Sequence, residues 1–150
     1  MTVIEKLQDI LRDEYTAHLL YGAYGAAMLN NEVKKLGKQY KQESKEEYGH
    51  AKDIEDRLLL LGELPQIAVS PKIKVVDNPV AIIKETEKLE TDAVKKYKEL
   101  YDIAISENDP VTADLAKDHA SDEEGHLNFV QGQLYVISKI GEALWLQGWL

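Results

Sequence analysis

Residues 46–50 read EEYGH and residues 122–126 read DEEGH, 76 positions later. Each holds a Glu and a His three apart, Glu47 with His50 and Glu123 with His126, and residues three apart on a helix share a face. One such pair is a weak signal in a Glu-rich chain, but the register extends outward. Glu14 precedes Glu47 by 33 positions, and Glu90 precedes Glu123 by the same interval. A shift of 76 superposes Glu14, Ala17, Tyr21, Glu47, Gly49 and His50 on Glu90, Ala93, Tyr97, Glu123, Gly125 and His126. The repeat predicts two related helix pairs folded into one pseudo-symmetric bundle.

The apolar spacing supports four helices. Thr2 and Glu5 have the form of a capping box, and Ile4, Leu7, Leu11, Glu14, His18, Tyr21, Gly25 and Met28 then step by three and four. This first seam weakens at Asn30-Asn31 and stops near Gly37. A second seam runs through Tyr40, Glu43, Glu47, His50, Ile54, Leu58 and Leu61, with Gly62 and Pro65 as stop signals. Pro65 to Asn78 (PQIAVSPKIKVVDN) has no helical period and reads as an extended connection. It is long enough, at ~46–50 Å, to traverse a bundle end to end. Asn78-Pro79 opens a third helix carrying Ile83, Glu87, Glu90, Val94, Tyr97, Tyr101 and Ala104. After the Ser106–Pro110 turn, a fourth carries Ala116, His119, Glu123, His126, Val130, Leu134 and Ile137 up to Gly141. The last nine residues, EALWLQGWL, fit a short apolar helix. The expected fold is all-α: a four-helix bundle with up-down-down-up connectivity, a long crossover between helices 2 and 3, and one domain over residues 1–150.

Composition narrows the chemistry. The 150 residues carry 27 acidic and 18 basic side chains, a formal charge of −9, which argues against a nucleic-acid surface. With no cysteine, thiolate metal sites, iron–sulfur clusters and Cys nucleophiles are excluded. The amino terminus lacks the apolar core of a signal peptide, and no run approaches the ~18 apolar residues of a membrane span. A cytoplasmic protein with no membrane partner is the expectation.

Glu14, Glu47, His50, Glu90, Glu123 and His126 all lie on seams that otherwise carry Leu, Ile and Val. Four carboxylates inside one bundle are prohibitive unless neutralised. The four seams contain no lysine, and Arg57 only flanks one of them. Two divalent cations would balance four carboxylates, with two neutral imidazoles completing the ligand set. Hard oxygen plus imidazole suits iron or manganese and admits zinc.

The ligand pattern, one Glu from each of two helices and a Glu-x-x-His from each of the other two, is that described for ferritin-like di-iron proteins. Within that superfamily the chain resembles bacterioferritin over nearly its whole length, through LRDEYTAHLLYGAY, EEYGHAKDIEDRLLLLGELP, KLETDA and SDEEGHLNFVQGQL. The resemblance implies a ferroxidase centre. In it Glu14 and His50 hold one iron, Glu90 and His126 hold the other, and Glu47 and Glu123 bridge them. It further implies oxidation of Fe(II) by O2 or H2O2, and a homo-oligomeric cage of twenty-four subunits storing the oxidised iron. Two rival readings remain: a non-storage di-iron oxidoreductase resembling a rubrerythrin-type peroxidase, and a bundle binding a redox-inert ion.

Three departures from the family pattern stand out. Tyr48 stands where the haem-ligating methionine is expected, so haem is not expected. Gln42 replaces a cavity-facing histidine. His18 and His119 occupy seam positions where aliphatic residues are expected; the bland reading is two satisfied core histidines, the sharper one is contact with the ligands. Tyr21 and Tyr97 flank the site at matched positions and are expected to support it structurally. Glu46 and Asp122, just before the bridging glutamates, read as a solvated face. The tail tryptophans, Trp145 and Trp149, are expected at a subunit junction.

Overall fold

A computed structural model of the chain describes residues 1–71 and 73–150. It contains α1 (Val3–Asn30), α2 (Lys34–Leu60), α3 (Pro79–Ser106), α4 (Pro110–Ile140) and the short α5 (Glu142–Gln147). The starts follow the sequence signals. Thr2 and Glu5 form the capping box on α1, Asn78 caps α3 ahead of Pro79, and Asp109 caps α4 ahead of Pro110.

Contacts across the helices define the directions. Tyr15 meets Glu55 while His18 meets Ser44, so α1 and α2 run antiparallel. Lys6 meets Glu99, Tyr97 meets Glu14 and Tyr21 meets Glu90, so α1 and α3 do too. Arg57 meets Asp109 while His126 meets Glu46, which sets α2 against α4. The result is the up-down-down-up bundle. The crossover lies along α1, tied by Gln8 to the Leu64 carbonyl and the Gln66 amide at 2.9 Å each, and by Thr16 Oγ1 to the Ser70 amide at 2.9 Å.

The repeat reaches the turns. Glu32 and Asn108, 76 positions apart, both adopt positive φ (65° and 55°) in the two helix–helix connections. In each, an amide three residues past the helix end returns to a carbonyl of its last turn: Val33 to Met28 and Asp109 to Ala104, both at 2.9 Å.

Two expectations need correction. α2 begins at Lys34, and Gly37 lies inside it instead of ending a helix. A Cβ on Gly25 would sit 2.8 Å from the Gly37 carbonyl oxygen, and one on Gly37 would sit 3.0 Å from that of Gly25. The two glycines let α1 and α2 approach closely, a use that chain-wise reading confuses with a stop. The tail tryptophans, in turn, are not left for a partner to cover. Trp145 is buried against its own bundle, and both indole N–H groups donate to Gln133 Oε1, at 2.9 and 3.2 Å. The Lys35 amide donates to the Trp149 carbonyl at 3.1 Å, pinning the tail to the start of α2.

The apolar core is in two parts. One cluster holds Leu7, Leu11, Ile54, Leu58, Leu100 and Ala104. The other holds Leu20, Tyr24, Met28, Leu36, Tyr40, Ile82 and Val130. The predicted ligands fall between them along the helices.

Candidate metal centre

All six predicted residues converge at mid-bundle. Their donor atoms form two overlapping groups, Glu14, Glu47, His50 and Glu123 in one, Glu47, Glu90, Glu123 and His126 in the other, with the atoms of each group within 4.8 Å of one another. Glu47 and Glu123 belong to both. The four glutamates are 1–2% exposed, as buried as the leucines around them. Among the described residues, their close cationic neighbours are the two histidines. Arg57 is engaged elsewhere, with Asp109 and Thr112 at 2.8 Å each.

Each ligand candidate has one polar atom held by a neighbour or left to its group, and one that is orphaned. The buried atoms without a hydrogen bond are Glu14 Oε2, Glu47 Oε1, His50 Nδ1, Glu90 Oε2, Glu123 Oε1 and His126 Nδ1, together with Arg12 Nε. Buried polar groups are ordinarily satisfied, yet these inward atoms have only one another, His50 Nδ1 lying 2.9 Å from Glu123 Oε1 and His126 Nδ1 3.2 Å from Glu47 Oε1, which marks a place for a cation. The other atoms show how the set is aimed. Tyr21 donates to Glu90 Oε1 at 2.5 Å and Tyr97 to Glu14 Oε1 at 2.9 Å, leaving the second oxygen of each carboxylate free. His50 Nε2 faces Asp122 at 3.0 Å and His126 Nε2 faces Glu46 at 2.7 Å, which leaves both Nδ1 atoms pointing inward. A carboxylate behind a ligating imidazole fixes its tautomer and ring orientation.

The crowding shifts the acidities. Glu47 and Glu123 are held well above the usual carboxyl range by burial and by the carboxylates around them. Burial opposes charge on His50, but Glu123 and Glu14 prevail and push it up to about 11. His126, against the same burial, is pushed up to about 10, chiefly by Glu90. The cation-free cluster thus neutralises itself with protons that a metal would displace.

One cleft reaches the buried carboxylates, and a depression lies over the two histidines. A narrow cleft of about 150 Å³ between α1 and α3 is lined by Asp13, Glu14, Tyr21, Glu90 and Asp92. On the opposite side, a shallow depression over α2 and α4 holds Glu46, Asp53, Asp122 and the edges of His50 and His126.

The remaining candidates sort clearly. His18 bonds the Ser44 carbonyl at 2.8 Å and sits against Tyr48, outside the two donor groups; it is satisfied as the bland reading has it, but half-buried and not in the core. His119 meets the sharper one. Its Nδ1 is 3.0 Å from the Tyr97 hydroxyl, its Nε2 is 3.0 Å from Asp53, and its ring stacks on His50 at 4.2 Å. Glu46 and Asp122 are more than a solvated face, since each contacts one histidine of the cluster. The signal was present in the sequence: both precede a Glu of the repeat and lie 76 apart.

The chain matches the ferritin-like domain family over residues 4–140. It is 31% identical over 140 residues to a bacterioferritin of Brucella melitensis, covering 93% of this chain and 87% of that protein. It is 30% identical over 139 residues to a bacterioferritin of Rhodobacter capsulatus, covering 93% and 86%. With a bacterial ferritin of Neisseria gonorrhoeae the identity is 33% over 159 residues, covering 99% and 96%.

Proposed function

Since the chain belongs to the ferritin-like domain family, we propose that it oxidises and stores iron, with residues 1–150 acting as one unit around a two-ion ferroxidase centre. Glu14 and His50 hold one ion, Glu90 and His126 the other, and Glu47 and Glu123 lie between and bridge them. The observation that carries this reading is the convergence of these six buried side chains, whose inward-facing donor atoms have no hydrogen-bond partner outside the group. Fe(II) is the substrate: two ions give one electron each to O2, which takes up two protons and leaves as H2O2, or to H2O2, which takes up two protons and leaves as water.

The protein's own groups do the positioning. Tyr21 and Tyr97 orient the terminal carboxylates, Glu46 and Asp122 orient the imidazoles, and the apolar clusters on both sides keep bulk water from the space between. The excess of acidic side chains favours ferrous ions at the surface. Manganese or zinc satisfies the same donors, and iron is preferred for the redox step. A cytoplasmic homo-oligomer, assembled as a cage of about twenty-four subunits in keeping with the helix-bundle family resemblance, completes the reading.

Aerobic addition of Fe(II) tests the chemistry. The parent should give rapid ferric absorbance, and Glu47→Ala and His126→Ala should fall to the rate of iron in buffer. Variants as fast as the parent would remove the six residues from the reaction. Light scattering tests the cage, and a stable dimer would rule it out.

A further inference from the structure

The repeat makes the two halves of the centre nearly interchangeable, which isolates one place where they differ. His119 lies one turn before Glu123. The residue 76 positions earlier, one turn before Glu47, is Glu43. Both are buried, at 5% and 6% exposure. His119 stacks on His50 and holds the Tyr97 hydroxyl that donates to Glu14, so it backs the Glu14/His50 side. The same register carries His50, Tyr97 and Glu14 onto His126, Tyr21 and Glu90, so Glu43, buried one turn before Glu47, backs the other side. Its only hydrogen bond among the described residues is a long one from Gln39 Nε2, at 3.4 Å. Asp53, 3.0 Å from His119 Nε2, stands at the surface with a side chain 60% exposed. Water screens it, and Phe129 occupies the repeat-related position.

A buried carboxylate next to a divalent cation attracts it strongly where solvent is excluded, and an imidazole whose nitrogens are already engaged does not. We propose that Glu43 makes the Glu90/His126 half of the centre the first to fill, and that His119 leaves the Glu14/His50 half the weaker and later one. The two halves then load in sequence despite equivalent ligands. This ordering rests on the two-ion reading above.

Titration of the metal-free protein with Co(II), followed by calorimetry and visible absorbance, tests it. The parent should bind two ions in two steps differing at least ~10-fold in affinity, about 1.4 kcal/mol. His126→Ala should lose the tighter step and His50→Ala the weaker. Glu43→Gln, which preserves size, should weaken the tighter step ~10-fold and leave the other unchanged. His119→Glu should tighten the weaker one. Two equal steps in the parent, a tight step surviving in His126→Ala, or two unchanged constants in Glu43→Gln would each overturn the ordering. Binding of no Co(II), or of one ion insensitive to both histidine changes, would instead overturn the two-ion reading. Far-UV circular dichroism of each variant separates loss of a step from loss of fold.

Discussion

Glu43→Gln should stabilise the metal-free protein at pH 8 and leave it nearly unchanged at pH 5. Burial lifts the Glu43 carboxyl from its usual 4.5 to about 7, against a smaller opposing pull from His126 and Gln39. A carboxyl raised in the folded state binds its proton more tightly there than in the unfolded chain. Its contribution is therefore complete below the unfolded pKa and is lost as pH rises through the folded one. At ~1.4 kcal/mol per pH unit, the parent loses about 3 kcal/mol between pH ~4.5 and ~7 from this group alone. Gln does not titrate and matches Glu in size, so the variant keeps roughly 2–3 kcal/mol that the parent has lost by pH 8. With urea slopes of ~1–3 kcal/mol/M, the unfolding midpoint should move up by about 1–2 M at pH 8 and by little at pH 5. An equal shift at both pH values would assign the effect to packing, and no shift at pH 8 would refute the burial argument. The same change weakens metal binding in the ordering above, so stability and function pull this residue in opposite directions.

Metal loading at pH 7 should release more than two protons per chain, because His50 and His126, raised to about 11 and about 10, and the raised Glu47 and Glu123 must all give theirs up. A pH indicator in weakly buffered solution reads the number, and affinity should climb steeply from pH 5 to 8. Gly25→Ala should destabilise by about 1–3 kcal/mol, because its Cβ meets backbone at 2.8 Å, and the helices must separate. Gly132→Ala on α4, with nothing within 4 Å, should gain roughly 0.5–1 kcal/mol; thermal melts of the two variants should move in opposite directions.

The repeat carried most of what could be read from the chain. Residues that share one centre must sit at fixed helical intervals, so a 76-residue self-match singles out the six side chains that the structure brings together. Caps and prolines marked the starts of α1, α3 and α4 for an equally local reason. The start of α2 was less legible: Val33 provides no side-chain cap, and Gly37 serves a neighbouring helix. What escaped was the set of contacts made across helices. Glu46 faces a histidine 80 positions away, and His119 reaches Asp53 66 positions away. Only packing shows that such surface acids reach histidines of another helix and that the tail tryptophans fold back onto Gln133.

The apolar interior is cut in two by a layer of acids and imidazoles. Each end of the bundle has its own tightly packed residues, but the middle relies on protons or cations to hold four carboxylates together. The empty protein should therefore breathe at its waist, with amides near Glu47 and Glu123 exchanging with solvent sooner than those beside Leu7 or Tyr40. A cation bound there would act as a belt, since each of the two donor groups draws on helices from both hairpins.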